Sequence, residues 1–230
     1  MNGFASALHL VGADVAAPLR AAVVRVAAER GHEPVLVDLD PWAGGSDVLL
    51  GLEHVAGVRW HDLDGADGEF DADGLLHRLP AGPLGERVLA HDRWAARPVD
   101  PDVVRAAMHA LRLSAGLLVV DGAVPADLPE LRRPRDRVWV AIGADVRSSA
   151  AGIAATQWLS LQGVQHRTVL LHTGAAPEHD EFDRIDELVR VGRSEWRDLD
   201  RGVLCGRRNG PLRAFAGRLL DDLVDGQVAA

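Results

Sequence analysis

Three aspartates stand where apolar runs of the sequence end. Asp38 and Asp40 follow the run that begins at Val35, and Asp121 closes the run LLVVD. If these runs are parallel strands, their carboxyl ends meet at one edge of a sheet, which is where such sheets bind ligands. Carboxylate oxygens there suit a Mg²⁺–phosphate group, because hard cations take oxygen ligands directly or through water. Aspartates also cap helices and turn the chain after a strand, so a ligand site and a purely structural role both stay open.

The elements that would position these aspartates alternate between short apolar runs and stretches of helical period. This alternation predicts βα units that build an α/β fold of three layers, with a mostly parallel sheet flanked by helices. A single domain over residues 1–230 is expected, because no convincing linker divides the chain. Strands are predicted at Ala7–Val11, Val35–Leu39, Arg87–Ala90, Leu117–Asp121, Val138–Gly143 and Arg167–His172. Helices are predicted at Val15–Glu29, Ser46–Leu52, Ala72–Arg78, Pro101–Leu113, Ser148–Leu161 and Pro211–Val224, and the chain between Asp186 and Pro211 is expected to be less regular.

Several motifs of the chain, in order, carry a family resemblance. They are VLVDLDPWAGGSDVLLGLE (Val35–Glu53), GVRWHDL (Gly57–Leu63), LHRLP (Leu76–Pro80), LLVVD (Leu117–Asp121) and DRGVL (Asp200–Leu204). Together they resemble the ATPase-like domain of CpaE/TadZ and septum-site-determining (Ssd) proteins, in the MinD/ParA branch of deviant P-loop NTPases. The resemblance implies a MinD/ParA-like P-loop NTPase fold and a role in positioning or assembly.

The resemblance also implies a glycine-rich phosphate loop after the first strand, with one or two lysines and a Ser or Thr. The matching segment reads HLVGADVAAPLRAAV and keeps only Gly12 of the glycines. Ala17 and Pro18 stand at the hydroxyl positions, and all 25 basic residues of the chain are arginine. Asp14 is expected to cap the first helix and to repel a triphosphate. Arg20 is expected to lie inside the helix, beyond the turn, and not to replace the lysine.

These observations predict a remnant of a nucleotide site. Its residues would be Gly12, Asp14, Asp38, Asp40 and Asp121, a vestigial nucleotide and Mg²⁺ site in which the aspartates are structural. No catalytic residue and no metal ligand are assigned, and no cofactor is expected. Mg-ATP would be a cofactor only if a non-standard phosphate loop still worked.

Composition narrows the classes of partner. The formal net charge of −9 disfavours DNA and anionic lipid as partners, because both need clustered positive charge. The single cysteine, Cys205, excludes an internal disulfide and a cysteine-rich metal site. No apolar run reaches transmembrane length, so stable membrane insertion is not expected. The expected location is the cytoplasm, with any recruitment to the inner membrane face made through partners.

The leading hypothesis is a non-catalytic pseudo-ATPase that acts as a positioning or assembly factor. By the resemblance, its partners would be proteins of a cell-division, pilus or secretion apparatus. Its role would be linked to septum-site or cell-pole placement or to Tad-type pilus loci. Formation of a homodimer also stays open. The alternative is an ATP-binding, weakly hydrolysing relative. A dinucleotide enzyme is disfavoured, because the chain lacks the G-x-G-x-x-G pattern. Trp42, beside Pro41, is the tryptophan most expected to be an exposed contact.

Overall fold

Seven parallel strands form one sheet in a computed structural model that describes residues 5–12, 15–42, 44–65, 69–121, 128–174, 185–200 and 210–228. The strands are β1 (Ala7–Val11), β2 (Pro34–Asp38), β3 (Arg87–Leu89), β4 (Leu117–Asp121), β5 (Arg137–Gly143), β6 (Arg167–His172) and β7 (Glu187–Arg190). Their order across the sheet is β3-β2-β4-β1-β5-β6-β7. β4 lies between β1 and β2 and pairs in parallel with both. The carboxyl ends of these three strands are therefore neighbours at one edge.

Helices cover both faces of the sheet. They are α1 (Ala17–Glu29), α2 (Ser46–Leu50), α3 (Ala72–Arg78), α4 (Pro101–Ser114), α5 (Leu128–Leu131), α6 (Val146–Leu161), α7 (Arg193–Asp200) and α8 (Pro211–Val228), with a 3₁₀ turn at Trp60–Leu63. Alternate strand residues point to opposite faces, and both faces are apolar. Leu10 and Val119 pack under α1 and α8, whereas Val37 and Val120 pack under α3 and α4. The predicted three-layer α/β fold is therefore confirmed.

The predicted elements are all present, with shifted ends. The first helix begins at Ala17 and not at Val15, and β2 ends at Asp38 and not at Leu39. The helix after β5 begins two residues early, at Val146, because the Asp145 carboxylate accepts hydrogen bonds from the N–H groups of Arg147 and Ser148. The expectation of irregular chain after Asp186 was wrong at Glu187–Arg190 and Arg193–Asp200, which form β7 and α7. In the described part of the chain, no helix is long and apolar enough to cross a membrane.

A buried carboxylate ties three elements together at the amino end of the sheet. Asp136 accepts two hydrogen bonds from the Arg112 guanidinium of α4, at 2.9 and 2.6 Å, and one from the backbone N–H of Ala7 in β1 at 3.0 Å. His9 Nε2 lies 3.3 Å from the same carboxylate. Burial raises the pKa of Asp136, but the hydrogen bonds from His9 and Arg112 outweigh it and hold this pKa well below its usual range. Asp136 is thus an ionised anchor on the edge opposite the candidate site.

Candidate functional site

Two of the predicted aspartates meet at the carboxyl edge of the sheet. β2 and β4 are parallel neighbours, and their register places Asp38 beside Asp121. Both residues are buried, whereas Asp40, two residues past the strand end, is half-buried. The rule that parallel strands bring their carboxyl ends together therefore predicted this pair correctly.

Arg20 reaches the same edge from α1. The sequence predicted only that it lies inside the helix and does not replace the lysine. Its Nη1 lies 2.5 Å from Asp121 Oδ2, and its Nε donates to the Leu10 carbonyl at 3.2 Å. Its Nη2 donates to the carbonyl of Gly12. The Arg20 and Asp121 side chains are only 4% and 3% exposed, so this ion pair lies in the interior. The guanidinium fastens the end of β1 to the end of β4 and places a positive charge among the aspartates.

Asp38 organises the turn that follows its strand. Its two carboxylate oxygens accept hydrogen bonds from the N–H groups of Asp40, at 3.1 Å, and Ser46, at 2.7 Å. Burial raises the pKa of Asp38, and these hydrogen bonds with the nearby Arg20 charge lower it in part. The carboxylate thus holds the start of α2 against the end of β2, a structural task that needs no ligand.

Asp121, like Asp38, has a raised pKa. Burial raises its pKa to about 7, Arg20 opposes that rise, and the neighbouring charges of Asp38 and Asp40 add to it. Asp38 and Asp121 are buried carboxylates with one guanidinium nearby, so their negative charges repel each other. One of the two therefore keeps a proton at moderately acid pH. Arg20 is the one positively charged side chain among these residues.

At its described residues, Gly12 and 15–18, the turn from β1 to α1 shows no side chain that would hold a phosphate. The N-cap residue is Ala16, which has no side-chain capping bond, and Pro18 in the first turn has no N–H to donate. Gly12 has φ 138°, and a Cβ there would lie 2.7 Å from the Ala141 carbonyl oxygen, so its glycine is required by close packing. Asp14, predicted as the cap, lies outside the described residues, and the cap position itself belongs to Ala16.

The expected convergence of three carboxylates is only partly found. Asp38 and Asp121 pair, but no group of three or more His, Cys, Asp or Glu side chains within the described ranges could hold a metal ion. Asp40 instead accepts a hydrogen bond from the N–H of Trp42 at 2.8 Å, which closes the turn after β2. The physical reason is that Asp40 lies beyond the strand end, where the chain has already turned. Among the described residues, Asp38 and Asp121 are thus engaged in contacts within the protein, and Asp40 does not complete a metal-binding group with them.

The motif that carries the family resemblance is a packed structural unit. The Arg59 guanidinium donates to the carbonyls of Leu52 and Val55, at 3.1 and 3.3 Å, and lies 3.3 Å from the Asp47 carboxylate. Trp60 is 1% exposed, and its indole N–H donates to the Asp38 carbonyl at 2.6 Å. The GVRW segment thus locks α2 and the end of β2 in place. The motif is visible in the sequence, but nothing in its pattern indicates these contacts of Arg59 and Trp60.

Comparison with known proteins gives two uncharacterised relatives. MT3760 and Rv3660c, from the CDC 1551 and H37Rv strains of Mycobacterium tuberculosis, are each 35% identical over 211 residues, which cover 84% of this chain. The chain spans 57% of the length of each of these relatives. No protein-family model matches the chain.

Solved structures with the same fold include cell division and plasmid partition proteins. The MinD cell division protein of Aquifex aeolicus superimposes with a TM-score of 0.69 at 14% identity, covering 94% of this chain and 98% of MinD. A chain of the MinC:MinD cell division protein complex of Aquifex aeolicus gives a TM-score of 0.59 at 14% identity, over 86% of each chain. A plasmid partition protein of Borrelia burgdorferi B31 bound to AMPPNP gives 0.57 at 8% identity, over 97% of this chain and 99% of that one. At these identities the likeness establishes the fold, that of MinD and ParA-like P-loop NTPases.

Proposed function

We propose that this chain is a pseudo-ATPase: a protein of MinD/ParA-like fold that acts by binding protein partners and has lost nucleotide turnover. Within that fold, the edge formed by β1, β2 and β4 is where the resemblance implies a nucleotide and its Mg²⁺. The observation that carries the proposal is Arg20, whose guanidinium binds Asp121 and the carbonyls of Leu10 and Gly12 at that edge.

Arg20 supplies from inside the protein the positive charge that a phosphate-loop lysine or a metal ion would bring. Another unit positive charge about 4 Å from the guanidinium would be repelled by roughly 4 kcal/mol at an effective dielectric constant near 20. A divalent cation would be repelled about twice as strongly. Asp121 is therefore compensated without Mg²⁺, and a metal at this carboxylate would first have to displace a buried ion pair.

The phosphate side of the edge supports the same proposal. Ala17 and Pro18 have no hydroxyl group, and Pro18 also has no backbone N–H. The carbonyl of Gly12 is already engaged as an acceptor by Arg20, which fixes the start of the turn. A triphosphate needs N–H donors directed at it, and this arrangement offers it few.

The positioning role is proposed from the resemblance and from the proteins that share the fold. The Aquifex proteins are a cell division protein and its complex with MinC, and the Borrelia protein is a plasmid partition protein. We propose that this chain likewise serves placement or assembly, through partners of a septum-site, cell-pole or Tad-type pilus and secretion apparatus. Deleting its gene in the organism that encodes it and scoring septum position and pilus number tests that role; unchanged septa and pili would contradict it.

Isothermal titration of the chain with Mg-ATP tests the loss of nucleotide binding. We expect no heat of binding up to about 1 mM nucleotide. The Borrelia partition protein, which was solved with AMPPNP, is the positive control for the same titration. Binding in the micromolar range would overturn the pseudo-ATPase proposal and favour the alternative of a weakly hydrolysing ATPase with a non-standard loop.

A further inference from the structure

A cavity of about 300 Å³ lies between the turn after β2 and the start of α4. Its apolar wall includes Leu39, Trp60, Val99 and Val104, and Trp42 stands at its rim with 73% of its surface exposed. We call it the Trp42 cavity. It lies beside the carboxylate edge and shares Asp40 with it, whereas the Asp38, Asp121 and Arg20 side chains do not line it.

The charged groups around the Trp42 cavity leave it acidic. Asp40 and Glu130 line it, against Arg105 as the one lining guanidinium within the described chain. Arg105 is shared between two carboxylates: it lies 3.2 Å from Glu130 and also binds Asp102. Two lining carboxylates and Asp102 therefore face one guanidinium, which leaves an excess of negative charge at the mouth.

Two other groups beside the cavity could supply positive charge, the amino end of α4 and His91. The amino end of α4 opens on the cavity through Pro101, but the Asp100 cap accepts from the Asp102 N–H at 2.8 Å, and both carboxylates offset the helix dipole. His91 also lines the cavity and is 6% exposed. Burial lowers the pKa of His91, and the nearby Asp40 opposes that shift only in part, so the ring is neutral at pH 7. Neither group cancels the acidic mouth.

We infer that the Trp42 cavity binds a bulky apolar side chain, flanked by basic residues, in a segment of a partner protein. This inference deepens the proposed function, on which it rests for the idea that the chain works through protein partners. An exposed tryptophan beside an apolar hole is the arrangement from which interface hot spots are built. The acidic mouth selects positively charged flanks through electrostatic complementarity.

The size and charge of the cavity favour this occupant over two others. About 300 Å³ is at the small end of ligand pockets, so it suits one side chain and is tight for a nucleotide. A second copy of this chain carries a net charge of −9, and its approach to an acidic mouth is opposed by like charge. A basic segment of a partner meets neither obstacle.

Three blocked pentapeptides test the inference by NMR titration of the full chain. The first, Gly-Arg-Phe-Arg-Gly, carries the anchor and the basic flanks. The second, Gly-Glu-Phe-Glu-Gly, reverses the flanking charge, and the third, Gly-Arg-Gly-Arg-Gly, removes the anchor. We expect the first to shift the indole N–H signals of Trp42 and Trp60 and to bind at least about tenfold more tightly than either of the others. No shift at these signals, or equal binding of the acidic peptide, would overturn the inference.

Two matched tryptophan variants localise the binding. Trp42→Ala removes the rim of the cavity, whereas Trp94→Ala removes a tryptophan that is 91% exposed and does not line it. Both side chains are exposed, so both variants are expected to melt within a few degrees of the wild type. We expect Trp42→Ala to weaken binding of the first peptide at least fivefold and Trp94→Ala to leave it unchanged; equal effects would refute the site. A Mg-ATP titration of the same samples separates failure of this site from failure of the pseudo-ATPase proposal.

Discussion

At the scale of single residues, the positions of the acids were predictable and the direction of Arg20 was not. Asp38 and Asp121 follow from a general rule about the ends of parallel strands. Arg20 sits among apolar neighbours in α1, and an arginine inside an apolar stretch was the available signal that it is buried. Which way its guanidinium points depends on how α1 lies on the sheet, and local sequence does not encode that angle.

Replacing Arg20 with methionine tests its role as an internal cation. We expect Arg20→Met to lower the free energy of unfolding by about 3–5 kcal/mol at pH 8, because Asp121 then stays buried without its partner. Urea denaturation measures this loss. The control is Arg97→Met, which breaks an exposed pair with Asp64 and should cost less than about 1 kcal/mol. Equal losses of unfolding free energy in the two variants would mean that the buried Arg20 pair stabilises the protein no more than an exposed pair does.

The raised pKa of Asp121 makes a prediction about pH. Between its usual value of 3.8 and its folded value of about 7, the folded protein binds more protons than the unfolded chain, so this group lowers stability as pH rises through that window. In Asp121→Asn this contribution disappears. Between pH 5 and pH 7.5 the wild type should lose about 2 kcal/mol of unfolding free energy that the variant does not lose. His9 and His91 titrate in both proteins, so their contributions cancel in this comparison. Parallel pH profiles would contradict the assignment.

At the scale of elements, the periodic pattern predicted the sheet but missed its last strand. The other six strands are largely apolar, and apart from the first residues of β3, β5 and β6 they are buried, which makes them easy to recognise. β7 has the sequence ELVR and lies at the sheet edge, where only Val189 of its four residues is buried. Its strand conformation comes from pairing with β6, a tertiary contact that its local sequence does not report.

Arg59 is expected to hold α2 in place as an element. Arg59→Met removes two hydrogen bonds to carbonyls and leaves the buried Asp47 without its ion pair. We expect a loss of about 2–3 kcal/mol in stability and faster hydrogen exchange at the Gly51 and Leu52 amides, which bond back into α2. The matched variant Arg218→Met breaks an exposed pair with Glu187 and should leave these amides unchanged. Unaltered exchange in Arg59→Met would remove the structural role assigned to the GVRW segment.

At the scale of the whole molecule, the fold could be predicted and the partner could not. The alternation of strands and helices restricts an α/β chain to a few topologies, and the motif series selected one of them. A partner is recognised by a surface, and the residues of the Trp42 cavity come from five separate segments of the chain. No sequence period marks such a surface, so only Trp42 itself was anticipated.

The assembly state of the whole molecule is expected to be independent of nucleotide. A dimer that closes across a nucleotide would need the site that Arg20 occupies, so Mg-ATP should have nothing to bridge. Light scattering after size-exclusion chromatography should give the same mass with and without 1 mM Mg-ATP, to within about 5%, whether that mass is of a monomer or a constitutive dimer. A mass that rises with Mg-ATP would contradict both this expectation and the pseudo-ATPase proposal.

The buried pair of Arg20 and Asp121 also limits which substitutions could introduce ATP binding at this edge. Restoring glycines, a lysine and a hydroxyl in the turn before α1 would leave the guanidinium in place, and removing the guanidinium alone would leave two acids uncompensated in the interior. Under the pseudo-ATPase proposal, neither step alone would restore ATP binding. A return to ATP binding would then require changes at both places.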